Sequence, residues 1–219
     1  MIDGGAGSDV IYLHEVYPMD FPGLTSVRAN GGGGNDTFRG SPDNDELSGG
    51  DGNDTFYASA GSDDLDASTG DDLVIVETLG DVTLTDTSLV TPDGTATISG
   101  FEDAHITSDA GRGVRIDASG FRGNTVMKTG RGDDTLIGAV GRDFLTGGRG
   151  SDRLVGRTVG ASSPATRDPT CSSAVPATIA CSAARGRTVA AAVRATTSST
   201  TAEHRAGWGP RIDSADGGR

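Results

Sequence analysis

The stretch that decides the fold runs from residue 31 to residue 75 and divides into five units of nine residues. In order, the units read GGGGNDTFR (31–39), GSPDNDELS (40–48), GGDGNDTFY (49–57), ASAGSDDLD (58–66) and ASTGDDLVI (67–75). Every unit has an aspartate at its sixth position and an apolar residue at its eighth. A fixed period of this kind predicts an architecture in which small identical pieces stack on one another.

The same phase returns elsewhere in the chain. Three units, TGRGDDTLI, GAVGRDFLT and GGRGSDRLV, form a second block over residues 129–155, and a lone unit, GGAGSDVIY, begins at Gly4. The aspartates of the nine units are Asp9, Asp36, Asp45, Asp54, Asp63, Asp72, Asp134, Asp143 and Asp152. The apolar residues at the eighth positions of the two blocks are Phe38, Leu47, Phe56, Leu65, Val74, Leu136, Leu145 and Leu154.

The composition of one unit predicts a turn followed by a very short strand. Glycines at the first, second and fourth positions permit positive φ angles and leave main-chain oxygens uncovered. The last three positions place one apolar side chain between two polar ones, which is typical of a strand with one buried face. Because a single unit cannot bury that face, the units must stack.

If two units make one coil, residues eighteen apart lie above one another. Asp36, Asp54 and Asp72 then stack on one edge, Asp45 and Asp63 stack on the other, and Asp134 stacks on Asp152 in the second block. Neighbouring strands are about 4.8 Å apart, so these carboxylates repel unless a cation lies between them. Carboxylate and carbonyl oxygens without histidine or cysteine favour Ca²⁺, which accepts six to eight such ligands, over the stricter Mg²⁺.

The units resemble G-G-x-G-x-D-x-U-x, the repeat of the RTX (repeats-in-toxin, haemolysin-type) calcium-binding proteins. The match is full in GGAGSDVIY, GGGGNDTFR, GGDGNDTFY and GGRGSDRLV and partial in the other units. The resemblance implies an all-β fold, a right-handed parallel β-roll or β-solenoid with several Ca²⁺ ions between successive coils. It also implies that each ion is bound by two aspartates and by carbonyl groups of the first four positions of two units.

Transferred to this sequence, the resemblance completes the set of predicted calcium ligands. In the first block and the lone unit they are Asp9, Gly32, Gly34, Asp36, Asp45, Gly49, Gly50, Asp51 (carbonyl), Gly52, Asp54, Asp63 and Asp72. In the second block they are Gly130, Gly132, Asp134, Asp143, Gly147, Arg149 (carbonyl) and Asp152. Ser41 and Ser59 replace glycines around Asp45 and Asp63, so we expect that site to be the weakest of its block. Thr125 stands eighteen residues before Asp143, and we expect the second block to bind more weakly than the first.

The composition changes near residue 156. The 219-residue chain has 31 acidic and 18 basic residues and a net charge of −13, but residues 157–219 contribute a net charge of +4. This tail is rich in Ala, Ser, Thr and Arg, carries Cys171 and Cys181, and is predicted to be disordered or the product of a frameshift. The acidic balance of residues 1–156 argues against nucleic acid as a partner, and no apolar run is long enough to span a membrane.

The domain organisation follows from these observations. Residues 1–156 are predicted to form one calcium-binding β-roll, with repeat blocks at 31–75 and 129–155. Residues 13–30 interrupt the phase with two prolines and are predicted to be a loop or an excursion of the coil. Residues 76–128 lose the glycine turns but keep alternating β-branched residues, which predicts a metal-free solenoid stretch between the blocks.

The sequence predicts a calcium-binding, non-enzymatic protein that folds on binding Ca²⁺ and serves as a secreted structural or adhesive module. The alternative is the C-terminal repeat domain of a secreted protease, lipase or epimerase, or of an RTX toxin. No second histidine follows His14 at helical spacing, and His105 lies beside two common carboxylates, Glu102 and Asp103, which is weak evidence for catalysis, so structural or surface roles are favoured for both. The resemblance implies an extracellular location reached by type I export, although no signal is identifiable, and an extracellular surface or a polysaccharide remains open as a partner.

Overall fold

The computed structural model describes residues 1–17 and 22–156, together with the backbone of residues 179–183 and 189–192. The described regular structure consists of 19 β-strands in two sheets, sheet A with 11 strands and sheet B with 8. In chain order the strands are β1 (Ile2–Ala6), β2 (Val10–Tyr12), β3 (Ser26–Gly33), β4 (Thr37–Arg39), β5 (Asn44–Asp51), β6 (Thr55–Tyr57), β7 (Asp64–Thr69), β8 (Leu73–Thr78), β9 (Val82–Thr85), β10 (Ser88–Thr91), β11 (Gly94–Ser99), β12 (Asp103–Ser108), β13 (Arg115–Gly120), β14 (Asn124–Thr129), β15 (Thr135–Ile137), β16 (Asp143–Gly148), β17 (Arg153–Gly156), β18 (Ile179–Ala183) and β19 (Val189–Ala192).

The chain alternates between the two sheets and stacks in parallel, as in a β-roll. Strands β1, β3, β5 and β7 lie side by side in sheet A, and β2, β4, β6 and β8 lie side by side in sheet B. Leu47 pairs with Leu65 and Phe38 pairs with Phe56, which confirms the eighteen-residue coil. The all-β, parallel two-sheet prediction is therefore confirmed.

The first coil is longer than the others. Ile2 pairs with Ala29, a separation of 27 residues, so the predicted excursion over residues 13–30 adds nine residues to one coil. Strand β3 nevertheless begins inside that segment, at Ser26, because Val27 and Ala29 pair in register with Asp45 and Leu47 of the next coil.

The core lies between the two sheets, and within the repeat blocks it is built mainly from the eighth positions of the units. All eight apolar residues predicted there are at most 1% exposed. Phe38 and Phe56 stack with ring centroids 4.6 Å apart, and Phe101 meets Phe56 edge-on at 5.2 Å. A stack of identical side chains one coil apart follows directly from the parallel register.

The stretch between the blocks departs from a purely parallel solenoid. Sheet A runs in the order β7-β11-β10-β9-β13, and β10 is antiparallel to both of its neighbours. Tight turns reverse the chain here, and the Thr85 and Thr91 hydroxyls accept hydrogen bonds from the amides of Thr87, Asp93 and Gly94. We call β9, β10 and β11 the meander. Parallel stacking resumes from β12 onwards.

Two strands lie within the tail segment. Strand β18 pairs in parallel with β16 and β19 pairs in parallel with β17, so each extends one sheet by one strand. The prediction of disorder for the rest of residues 157–219 lies outside the described residues, and the frameshift hypothesis stays a prediction. In the part of the chain that the structure describes, no helix is long and apolar enough to cross a membrane.

Candidate metal centre

The nine repeat aspartates form two groups that differ in their hydrogen bonds. Six, which we call the ladder aspartates, each have one carboxylate oxygen buried without a hydrogen-bond partner: Asp9, Asp36, Asp54, Asp72, Asp134 and Asp152. Three, which we call the hydroxyl-bonded aspartates, each accept a hydrogen bond from a serine or threonine hydroxyl: Asp45, Asp63 and Asp143.

The ladder aspartates lie in the turns between strands. The strand register brings the aspartate of one coil into contact with the equivalent aspartate of the next coil. The Asp36 amide donates to Oδ1 of Asp54 at 2.7 Å, and the Asp54 amide donates to Oδ1 of Asp72 at 2.7 Å. In the second block the Asp134 amide donates to Oδ1 of Asp152 at 3.0 Å. One oxygen of each acceptor carboxylate is therefore fixed by the preceding coil.

Asp9 joins the first ladder although it is 27 residues from Asp36. Its amide donates to Oδ1 of Asp36 at 2.7 Å, the same contact that links the eighteen-residue neighbours. The excursion of the first coil thus leaves the ladder geometry intact. The first ladder consequently has four members, Asp9, Asp36, Asp54 and Asp72.

The second oxygen, Oδ2, of every ladder aspartate is buried and has no hydrogen-bond partner. A buried unpaired carboxylate oxygen is costly, and the cost is highest when a second carboxylate lies one coil away. This oxygen is the observation that fits a cation, because a bound metal ion would satisfy it and would neutralise both charges.

Glycines at the first position of several units show what surrounds this oxygen. A methyl group added to Gly4 would lie 2.8 Å from Oδ2 of Asp9 and 2.7 Å from the Gly31 carbonyl oxygen of the next coil. At Gly49 an added methyl would contact Oδ2 of Asp54 and lie 2.7 Å from the Ala67 carbonyl oxygen. Beside Gly4 and Gly49, a carboxylate oxygen and a carbonyl oxygen from two coils therefore converge on a space that the glycine leaves open.

Glycines at the second and fourth positions of a unit are required for a different reason, which is their backbone conformation and the close approach of the preceding coil. Gly50 and Gly52 have φ angles of +103° and +130°, and a side chain on either would collide with the carbonyl group of Gly32 or Gly34 in the preceding coil. The turns stack so closely that each carbonyl group faces the equivalent turn of the next coil. The sequence prediction of close-packed, oxygen-presenting turns agrees with this geometry.

The predicted third-position ligands are already hydrogen-bonded. The Asp51 carbonyl oxygen accepts from the Gly34 amide at 2.7 Å, and the Arg149 carbonyl oxygen accepts from the Gly132 amide at 2.8 Å. A carbonyl oxygen has two lone pairs, so each retains one for a cation. The Gly130 carbonyl oxygen likewise accepts from the Arg149 amide at 2.8 Å.

The electrostatics of the ladders favour a positive charge. Burial raises the pKa of Asp54 and of Asp152, and the aspartate one coil earlier raises each further, against the lowering effect of the hydrogen bond from its amide. Burial, followed by repulsion from Asp54 and Glu102, raises the pKa of Asp72 to about 6. These shifts mean that the negative charges are unfavourable until something compensates them.

Glu102 ends the first ladder, and sequence reasoning missed it. The Asp72 amide donates to Oε2 of Glu102 at 3.0 Å, the position that an aspartate carboxylate takes in the other coils. Glu102 lies 30 residues after Asp72, outside any nonapeptide, so its only signal is an acidic side chain directly before a strand. At the start of the second ladder, Val114 occupies the equivalent position and its amide donates to Oδ1 of Asp134 at 2.9 Å.

The two ladders lie on opposite edges of the roll. Asp36, Asp54 and Asp72 lie where the chain passes from sheet A to sheet B, whereas Asp134 and Asp152 lie where it passes from sheet B to sheet A. In each block the hydroxyl-bonded aspartates occupy the other edge. The repeat phase alone did not predict this exchange, because the intervening coils are not eighteen residues long.

No three His, Cys, Asp or Glu side chains converge on one point among the described residues. Each site in a ladder instead pairs two carboxylates, and the remaining ligands would be main-chain carbonyl groups. That donor set is all oxygen and suits a hard cation such as Ca²⁺. His14 contacts Tyr12 edge-on at 5.7 Å, and His105 is an exposed residue of β12, so neither lies in a ladder.

Comparison with known proteins supports this assignment. The model of the RTX calcium-binding nonapeptide repeat matches the chain in four copies, at residues 1–15, 30–65, 39–74 and 119–154. These copies contain every ladder aspartate. The chain therefore carries RTX calcium-binding nonapeptide repeats, and its aspartate ladders are consistent with calcium binding. No curated protein matches the chain.

Proposed function

We propose that the chain binds several Ca²⁺ ions along its two aspartate ladders and acts outside the cell as a structural or adhesive module that folds on binding. The observation that carries the proposal is the set of six buried Oδ2 atoms without partners. The residues that would hold the ions are the ladder aspartates with carbonyl groups such as those of Gly31, Gly49 and Ala67. Bound Ca²⁺ supplies the positive charge that the stacked carboxylates need.

The coupling between binding and folding follows from the charge of the chain. Residues 1–156 carry a net charge of −17 and 29 of the 35 glycines, so the metal-free chain pays both repulsion and chain entropy to fold. A ligand that binds only the folded form adds its binding energy to folding. Extracellular calcium modules bind at about 10⁻⁴ to 10⁻³ M, which would keep the chain unfolded where calcium is scarce.

We propose a role without catalysis. Every carboxylate that is buried in the described residues belongs to the repeat, so the ladders and their opposite edges account for all of them.

Of the two outer faces of the roll, the face of sheet B is better suited to contact with another molecule, because it exposes apolar side chains. On sheet B, Val126 pairs with Phe144, and the two residues are 41% and 50% exposed. On sheet A, the charged residues Arg28, Glu46 and Asp64 pair with one another across neighbouring strands.

Far-UV circular dichroism of the chain, titrated with Ca²⁺ and separately with Mg²⁺, tests the proposal. We expect a transition from coil to β-structure with Ca²⁺ in the sub-millimolar to millimolar range and none with Mg²⁺ at the same concentrations. A spectrum that does not change at high Ca²⁺ would contradict the proposal. Removing calcium with EDTA should reverse the transition.

A further inference from the structure

The hydroxyl-bonded aspartates are buried as deeply as the ladder aspartates, yet their surroundings differ. Asp45 is 3% exposed, Asp63 is 5% exposed and Asp143 is fully buried. In the described residues, none of the three has a buried carboxylate oxygen without a hydrogen-bond partner. The repeat pattern assigns them to calcium, so the structure and the pattern disagree here.

Asp45 is held by the serine at the second position of its own unit. The Ser41 amide donates to Oδ2 at 2.6 Å, and the Ser41 hydroxyl donates to Oδ1 at 2.9 Å. Both oxygens of the carboxylate are therefore occupied. Hydrogen bonds to a charged acceptor are short and strong, so they offset part of the cost of burying the charge.

Asp63 repeats the arrangement one coil later. Its Oδ1 accepts from the Asp45 amide at 3.0 Å, the contact shared with the ladders, but its Oδ2 accepts from the Ser59 hydroxyl at 3.0 Å. That second bond goes to the oxygen that has no partner in every ladder aspartate. Ser59 supplies a side-chain donor here, which Gly50 at the same position of the Asp54 unit lacks.

The Ser59 hydroxyl also fills the space that the ladders leave open. A methyl group added to Gly40 would lie 2.6 Å from Oδ2 of Asp45 and would collide with the Ser59 hydroxyl of the next coil. Beside Gly49 in the first ladder, the equivalent methyl meets a carboxylate oxygen and a carbonyl oxygen instead. A cation beside Asp45 would have to displace this hydroxyl.

Asp143 reaches the same result with a different donor. Its Oδ1 accepts from the Thr125 hydroxyl at 2.7 Å and from the Ala139 amide at 2.9 Å. Thr125 occupies the position, one coil earlier, where a metal site would need a second carboxylate. This position therefore has one carboxylate, to which a hydroxyl group donates, where a ladder site has two. The negative charge that would attract a divalent cation is half that of a ladder site.

We infer that Asp45, Asp63 and Asp143 take no calcium and that each block of the roll binds metal along one edge only. The opposite edge is closed by hydrogen bonds from Ser41, Ser59 and Thr125. This inference rests on the proposed function, because it concerns where on the roll the ions bind. It predicts that the number of bound ions is set by the ladders alone.

Equilibrium dialysis of the full chain against saturating Ca²⁺ tests the inference by counting ions per chain. D45N and D63N should bind as many ions as the unsubstituted chain. D54N, the matched substitution in the ladder, should bind fewer, because Asp54 contacts both neighbouring ladder aspartates. Loss of an ion in D45N or D63N would overturn the inference, whereas an unsubstituted chain that binds no calcium would instead contradict the proposed function.

Because D45N also loses hydrogen bonds that hold the coil, a measurement on the unsubstituted chain complements it. Crystals grown in Ca²⁺ should show anomalous scattering peaks between Asp36 and Asp54 and between Asp134 and Asp152. They should show none beside Asp45, Asp63 or Asp143. A peak beside any of these three would refute the one-edge arrangement, whatever the folding of the variants.

Discussion

At the scale of single residues, the atoms that reach the space beside a repeat carboxylate decide whether a site stays open. Gly49 has ordinary backbone angles, yet a methyl group on it would occupy the space between Oδ2 of Asp54 and the Ala67 carbonyl oxygen. Ser59 shows the opposite solution, in which a side chain fills the equivalent space and provides a hydrogen bond. Between these two units, the hydroxyl group of Ser59 therefore distinguishes a hydrogen-bonded turn from a space that is open to a cation.

Gly49→Ala should consequently weaken calcium binding at one position of the first ladder, because the added methyl group would contact Oδ2 of Asp54. We expect fewer ions per chain and a calcium-induced folding transition shifted to higher Ca²⁺, as measured by calorimetric titration and circular dichroism. Gly33→Ala is the matched control, because no atom lies within 4 Å of the added methyl. Equal effects of the two substitutions would indicate that the loss of calcium binding comes from the general replacement of glycine by alanine and not from a blocked site.

Phe56 packs against two other aromatic rings in the core of the first block. It is fully buried between the ring of Phe38 and the edge of Phe101. Phe56→Ala should lower the free energy of unfolding of the calcium-loaded chain by about 3–5 kcal/mol, measured by urea denaturation. Phe144→Ala, at a half-exposed position, should cost much less, and a similar loss in both would contradict this description of the core.

At the scale of elements, the unit of the roll is the eighteen-residue coil and not the nonapeptide. Successive nonapeptides lie on opposite edges, so removing one shifts every later unit to the wrong edge. Removing two restores the register, since Asp36 then stacks on Asp72. The same logic governs strand register in any sheet with one buried face.

Deletion of residues 40–57 should therefore give a chain that still folds with calcium and binds fewer ions. Deletion of residues 49–57 alone should prevent the calcium-dependent transition of the first block, because Ser59 and Asp63 would replace a ladder turn. Circular dichroism of both deletions in saturating Ca²⁺ distinguishes the outcomes. Equal folding of the two would show that the nonapeptide is the independent unit.

The repeat made much of the first block predictable from sequence. A nine-residue phase with Asp at the sixth and an apolar residue at the eighth position was enough to place Phe38 above Phe56 and Asp36 above Asp54. The meander was not predictable, because its antiparallel strands depend on threonine turns that have no fixed spacing. Glu102 and the exchange of edges were missed for the same reason, since register there comes from tertiary pairing.

At the scale of the whole molecule, the buried carboxylates make the metal-free roll sensitive to pH. Burial raises the pKa of Asp63 and of Asp72 from 3.8 to about 6 in the folded chain. The folded form then binds more protons than the unfolded form between these values. The stabilisation that Asp63 and Asp72 give to the folded form by binding these protons is complete below pH 3.8 and is lost as the pH rises through 6.

In EDTA, the β-structure of the chain should therefore increase as the pH is lowered from 7.5 to 4.5, measured by urea denaturation with circular dichroism. In Ca²⁺ the dependence should reverse, because protons compete with the cation for the ladder carboxylates. A metal-free chain whose stability is unchanged or lower at pH 4.5 would contradict the raised pKa values. Sodium chloride at constant ionic strength controls for screening.

The meander and the coils around it interrupt the communication between the two ladders. Within a ladder, an inner aspartate such as Asp54 borders two cation positions, so occupancy of one favours occupancy of the next, as in a one-dimensional lattice with nearest-neighbour coupling. No carboxylate is shared between Asp72 and Asp134, which lie on opposite edges. The molecule thus carries two short, separately cooperative lattices of calcium sites. Calcium binding should therefore rise in two steps as the calcium concentration increases, and the steeper step should belong to the four-member ladder.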